Sequence, residues 1–178
     1  MVAQHYTIQH LYRLNPPVHT RTRPAPLTPP ITRHHCRITR PMHTLSPDVV
    51  QRLLAAALAA RTRAHAPYSG YSVGAAVLDE TGAVHAGCNV ENAAYPQGWC
   101  AEATALGAMV MAGGHQVKAV LVAGPGGQVI SPCGGCRQKL REFAAGDVPV
   151  LAADPSGVQS SWTLGELLPA SFGPAHLK

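Results

Sequence analysis

Two short apolar runs, V-K-A-V-L-V-A-G at residues 117–124 and V-P-V-L-A-A at 148–153, flank C-G-G-C-R-Q-K-L-R-E-F, a segment patterned as a helix that ends before Gly146. A strand that leads through a helix into another strand returns in the same direction, so this half of the chain predicts parallel pairing. Upstream, Y-S-V-G-A-A-V-L and A-V-H-A-G-C-N-V-E flank D-E-T-G and read as two antiparallel strands joined by a tight turn. Ahead of them, S-P-D-V-V-Q-R-L-L-A-A-A-L-A-A-R-T-R places Ser46 as N-cap and Pro47 at the first position of a helix. Another helix starts near Cys100 and runs to Gly113-Gly114, and T-L-G-E-L-L closes the chain with a short helix or turn. The expected architecture is an α/β/α sandwich around a mixed sheet.

Charge divides the chain. Of its 178 residues, 14 are basic and 9 acidic, a formal +5 that by itself suggests a polyanionic partner. Residues 1–43 hold six arginines, seven of the 16 prolines, six of the ten histidines and no acid. Without those six arginines, residues 44–178 carry eight basic and nine acidic groups, which leaves that part near neutral. A nucleic-acid polymer is therefore not expected as a partner of the folding part, and nothing basic and aromatic is interleaved to hold a strand. Residues 1–43 have no apolar run of signal or membrane-spanning length, and their prolines interrupt any helix. They are expected to be a disordered basic extension. Three readings apply: a stretch upstream of a natural start at Met42, a solvated basic tail, or a targeting segment. Residues 44–178 are expected to form one catalytic domain.

The chemistry resides in cysteine. Five of them, Cys36, Cys88, Cys100, Cys133 and Cys136, are too few and too unevenly spaced for a secreted disulfide framework, and a reducing cytoplasm suits them better. C-G-G-C after a strand and at the start of a helix is compatible with a redox dithiol, a metal clip or inert thiols. Cys100, at the start of a second helix, favours metal. Two helix N-termini in one layer can direct three thiolates to a point, and three protein ligands leave the fourth tetrahedral position of zinc open. Cys88 reads as a buried strand thiol, and Cys36, beside His34 and His35, as adventitious at most. His85 reads as a satisfied histidine. Glu102 alone would be an ordinary first-turn acid, but beside an open metal position a non-ligand carboxylate can shuttle protons. Three Cys/His ligands, a nearby non-ligand glutamate and P-C-x-x-C form the arrangement established for zinc deaminases.

C-A-E at Cys100–Glu102, followed about 30 residues later by P-C-G-G-C-R-Q at Pro132–Gln138, resembles the small homotetrameric cytidine deaminases with three-cysteine zinc ligation. The resemblance runs over most of residues 46–178 and includes A-P-Y-S-G-Y-S-V-G-A-A-V and G-E-L-L-P-A-S-F. It implies a three-layer sandwich with a five-stranded sheet, one zinc per subunit on Cys100, Cys133 and Cys136, and a homotetramer with shared active sites. It also implies hydrolytic deamination of cytidine and 2'-deoxycytidine, with Glu102 moving protons to ring N3 and to the departing amine. Met42 as the start would give a length typical of such proteins.

The same resemblance implies roles around the substrate. Asn89 and Glu91, spaced to project from one side of a strand, match the residues that hold the ribose. Tyr71 stands where relatives usually carry a phenylalanine near the base, and Ala93, Tyr95 and Phe172 match positions that reach substrate in neighbouring subunits. Many relatives carry an arginine directly after C-A-E that offsets thiolate charge. This chain has Ala103 there, which leaves Arg137 as the expected compensating cation. Trp99 is expected to pack in the core. The alternatives are a deaminase of a nucleoside antibiotic such as blasticidin S, a polynucleotide deaminase, and a non-catalytic zinc-binding or dithiol protein.

Overall fold

Ser46 starts the first helix, α1 (Pro47–Arg61), as its pattern requires: the hydroxyl accepts the Val49 N–H at 3.3 Å and Pro47 occupies the first turn. The computed structural model describes residues 45–177, so the extension expected at 1–43 lies outside the described residues. Strands β1 (Gly74–Asp79) and β2 (Val84–Cys88) form the expected antiparallel hairpin. Its turn is closed by Asp79, whose Oδ1 accepts the N–H groups of Thr81 at 2.8 Å and Ala83 at 3.0 Å, while Gly82 supplies the positive φ of +84°. Then come α2 (Ala101–Met111), β3 (Val117–Ala123), α3 (Gly134–Phe143), β4 (Pro149–Asp154), β5 (Gly157–Thr163) and the short α4 (Leu164–Leu167).

The five strands form one sheet in the order β2-β1-β3-β4-β5, with β3 and β4 parallel and every other neighbour antiparallel. The parallel pair is the one that the helix between two apolar runs predicts. The pattern located four strands; β5 escaped it, because G-V-Q-S-S-W-T is a polar edge strand with one partner and no apolar alternation.

Side-chain alternation in the strands divides the core in two. Ala76, Leu78, Ala119, Leu121, Ala123, Leu151 and Ala153 face α1 and pack on its buried Leu53 and Ala57. Ala75, Val77, Val120, Val122 and Val150 face the opposite way, against Ala105, Leu106 and Met109 of α2 and Leu140 of α3. Each fully buried leucine contributes about 1.5–3 kcal/mol of transfer free energy. The layers are therefore helix, sheet and helices, the sandwich expected from the sequence.

The pairing also fixes where the helices begin. Two successive antiparallel steps, from β2 to β1 and from β1 to β3, restore direction, so β2 and β3 end at the same sheet edge. The helices that follow them, α2 and α3, start there. Gly87 lets α2 lie directly on β2, since a Cβ at that position would stand 2.4 Å from the Ala105 backbone nitrogen.

Candidate active site

Cys100 is the N-cap of α2 and Cys133 the N-cap of α3, and Cys136 lies in the first turn of α3. The path from β2 to α2 is pinned by a two-way bridge in which Val90 and Trp99 exchange N–H···O bonds of 2.9 and 2.8 Å. Cys100 therefore emerges beside the end of β2, where the Thr104 hydroxyl also donates to the Cys88 carbonyl at 3.0 Å. The result is a single cluster: the three sulfurs lie within 4.8 Å of one another, and those of Cys100 and Cys133 are 3.8 Å apart. Two thiolates on one tetrahedral zinc, with Zn–S near 2.3 Å, are separated by about 3.8 Å, so the spacing fits that ion. Cys136 is buried, whereas Cys100 and Cys133 are exposed.

Burial and mutual hydrogen bonding shift all three thiols. Burial pushes the thiols of Cys100 and Cys136 up from the usual thiol range. Burial acts on Cys133 in the same sense, but the backbone N–H and thiol of Cys136 and the thiol of Cys100 hydrogen-bond to it and bring it down overall. Cys133 is thus the thiol of the three that its neighbours' hydrogen bonds stabilise as a thiolate, and a bound divalent cation would take the place of thiol protons at all three.

Glu102 follows in the first turn of α2 and is 4 % exposed, one of two buried acidic residues among the described residues. Burial raises its carboxyl above the ordinary range, against the lowering pull of helix-start amides and of Cys136. A buried carboxyl whose proton affinity is raised, next to a cysteine cluster able to hold a metal ion, has the properties of a proton carrier. Ala103 is buried behind it.

Asn89 and Glu91 do project to one side, and both engage the loop that leads into β1. Asn89 Nδ2 donates to the Tyr71 carbonyl at 2.9 Å, and its Oδ1 accepts the Val73 N–H at 2.8 Å. Glu91 accepts the N–H groups of Tyr68 at 2.9 Å and Ser69 at 3.2 Å, together with a short bond from the Ser69 hydroxyl. These bonds hold its carboxyl below the ordinary range, the Ser69 hydroxyl having the largest effect. The sequence reading passed over Ser69, although it stands inside the P-Y-S-G-Y stretch. A cleft of about 330 Å³ opens here, lined by Tyr68, Ser69, Glu91, Asn92, Tyr95 and Gly98. A larger groove of about 690 Å³ lies instead by the last turn of α3 and the starts of β3 and β4, and none of the candidate site residues lines it.

Tyr71, Tyr95 and Phe172 are exposed, and Tyr95 meets Tyr68 edge-on with ring centres 5.7 Å apart. Ala93 is exposed in the same loop. Trp99 corrects an expectation: it is 61 % exposed, because the bridge to Val90 fixes its backbone and leaves the indole outside the core. Cys88 is half-buried rather than buried, with its thiol directed to the Arg63 carbonyl at 3.4 Å. His85 is satisfied as expected, 2.7 Å from Asp79 Oδ2. Arg137 gives its hydrogen bonds to oxygen acceptors rather than to the sulfurs. Its Nε reaches the Pro132 carbonyl at 2.8 Å, Nη1 the Leu167 carbonyl at 2.7 Å and Nη2 the Ser131 hydroxyl at 2.9 Å.

A three-layer fold that gathers three thiols and a buried non-ligand acid at two helix starts defines a metallohydrolase of the zinc deaminase class. Residues 47–152 match the family model described as the cytidine and deoxycytidylate deaminase zinc-binding region. The cytidine deaminase of Sporosarcina psychrophila is 41% identical over 128 residues, covering 72% of this chain and 94% of the relative. Its counterpart in Mycobacterium tuberculosis is 39% identical over 128 residues, or 71% of this chain and 92% of that one. Among solved structures, cytidine deaminase from Burkholderia pseudomallei superposes with a TM-score of 0.64 at 41% identity, covering 68% of this chain and 98% of that chain. The Mycobacterium leprae enzyme does so with a TM-score of 0.58 at 39% identity, covering 67% of this chain and 96% of that one. The chain belongs to the cytidine deaminase family.

Proposed function

We infer that this chain converts cytidine and 2'-deoxycytidine to uridine and 2'-deoxyuridine, adding water and releasing ammonia. The observation that carries this reading is the buried Glu102 in the helix turn that Cys100 caps, with Cys133 and Cys136 gathered beside it. Cys100, Cys133 and Cys136 would hold zinc, which when bound brings water toward ionisation near neutral pH and acts as a Lewis acid. Glu102 takes a proton from the attacking water and passes it to ring N3 as oxygen adds to C4. It then carries the second proton from that oxygen to the amine, which leaves as ammonia, and the carboxyl returns to its starting state. Its burial supports this role, because a buried carboxylate takes up a proton more readily than an exposed one.

Glu91, fixed by Ser69 and Tyr68, presents the sugar-binding side of the cleft, while Asn89 and Tyr71, joined by a hydrogen bond beside it, complete the substrate contacts. Ala93, Tyr95 and Phe172 reach the site of a neighbouring copy, so the working unit is a homotetramer with shared sites. Exposed Tyr95 and Phe172, at 74 % and 57 %, together with Met111 at 88 %, support such association. The catalytic domain comprises residues 44–178, preceded by the extension. Free thiols suit a reducing cytoplasm, and among the described residues no helix is long and apolar enough to cross a membrane. Loss of cytidine absorbance with purified protein of measured zinc content tests the assignment, with blasticidin S offered in parallel. Zinc-loaded protein that leaves cytidine intact, or that prefers blasticidin S, overturns it.

A further inference from the structure

Helix α3 carries two of the three clustered cysteines at its start, and its next side chains hold a different part of the chain. Arg137 donates to the Leu167 carbonyl at 2.7 Å, Gln138 Nε2 to the Phe172 carbonyl at 3.1 Å, and Arg141 Nε to the Ser171 hydroxyl at 3.0 Å. The Arg141 guanidinium also lies against Gly173, where a Cβ would meet its Cζ at 2.8 Å. Residues 168–173 have no helix or strand of their own, and Ala170 adopts a φ of +51°, a conformation a non-glycine residue keeps only when its surroundings impose it. The terminal segment is therefore strapped to the metal-site helix at three points.

Phe172 is the exposed aromatic on that strap. At 57 % exposure its ring is not fixed by the core, and among the described residues its ring partner is His176, with centres 4.9 Å apart, in the terminal 3₁₀ turn. The backbone of Phe172 sets where its side chain leaves the chain, and Gln138 holds the backbone at that residue. Arg137 also braces the Pro132 loop, and Arg141 also caps the Ala144 carbonyl at 3.2 Å, so each has a second task. Among the described residues, the side-chain hydrogen bond of Gln138 goes to Phe172 alone.

We propose that Gln138 is a positioning residue that sets the Phe172 ring for substrate binding and thereby couples the terminal segment to the metal-site helix. The proposal rests on the reading that Phe172 contacts substrate. The test is steady-state kinetics on cytidine with zinc content, for full-length zinc-loaded Gln138→Ala, Gln138→Glu, Phe172→Ala and the double variant Gln138→Ala/Phe172→Ala. Gln138→Ala raises KM about three- to tenfold, the scale of one hydrogen bond, with kcat and zinc kept. Gln138→Glu, which keeps the shape but loses the donor, does the same, whereas a side chain needed only for packing would be restored by it. The double variant is no worse than Phe172→Ala, because both changes remove one function. An unchanged KM in Gln138→Ala, or effects that multiply in the double variant, overturns the positioning role. If Phe172→Ala itself leaves KM unchanged, the substrate contact fails and the proposal with it, an outcome separable from a failure of Gln138 alone.

Discussion

Asn89 holds Tyr71 by its backbone rather than its ring: Nδ2 donates to the Tyr71 carbonyl at 2.9 Å. With Oδ1 on the Val73 N–H, the carboxamide staples the segment entering β1 to the end of β2. Asn89→Asp keeps the acceptor, loses the donor and sets a carboxylate against a carbonyl. Losing one or two such bonds costs about 1–2 kcal/mol, or roughly 3–8 °C in Tm for a domain of this size. We expect that drop together with an increase in KM for cytidine, measured by thermal unfolding and kinetics. A higher KM at unchanged Tm would mean that Asn89 touches substrate without stapling the loop.

Glu102 separates catalysis from metal binding. Glu102→Gln leaves the three thiols untouched, so zinc content should match the unmodified protein while turnover falls by about 10²–10⁴, the usual contribution of a general acid–base group. Burial disfavours the carboxylate, so a neutral amide of the same shape should leave Tm equal or higher. Single-turnover assays with zinc quantified check the first point, and thermal unfolding checks the second. Retention of the full rate sinks the proton-carrier role.

Arg137 allows charge to be told from geometry. The sequence suggests a cation offsetting thiolate charge, whereas its hydrogen bonds run to Ser131, Pro132 and Leu167. A guanidinium that braces the loop before Cys133 acts by shape, and removing such outer support typically weakens metal binding about 10- to 100-fold. Arg137→Ala should therefore lose zinc faster to a competing chelator. Arg137→Lys keeps the charge but not the fork of donors, and should not recover retention. Full recovery by lysine would return the role to charge alone.

What the sequence disclosed follows from how local each signal is. Cys100, Cys133 and Cys136 were legible because helix starts and the parallel β3–β4 unit fix where a cap residue must lie. Ser46 and the D-E-T-G turn carry their own hydrogen-bond chemistry. Strand β5 was not legible, since the polar Ser160 and Ser161 are in a strand only because β4 offers them a partner. The exposure of Trp99 and the partners of Arg137 depend on segments distant in sequence, so no local pattern encodes them. Ser69 was hidden for the same reason: its partner Glu91 lies 22 residues away.

Asp79 gives a prediction about acid. It is 4 % exposed and accepts from the Thr81 hydroxyl at 2.6 Å, the N–H groups of Thr81 and Ala83, and His85 Nε2 at 2.7 Å. The Thr81 hydroxyl first, and His85 next, hold its carboxyl well below the usual carboxylate range. The folded pKa is thus lower than the unfolded value of about 3.9, so the stability it contributes is present above that pH and is lost as pH falls toward the folded pKa. Asp79→Asn cannot accept at both oxygens, which leaves the His85 donor or a turn N–H without its partner. We expect the variant to melt lower at neutral pH, with the gap to the unmodified protein narrowing as pH drops below about 4. Two other carboxyls held low, those of Glu91 and Asp154, titrate in both proteins and cancel from the difference, whereas Glu80 feels the Asp79 charge as a minor influence and is held slightly lower once that charge is removed. Thermal unfolding of the pair between neutral pH and about pH 3 reads the gap directly. A gap that stays constant across that range would show that the Asp79 bonds stabilise the hairpin by shape and not through its charge.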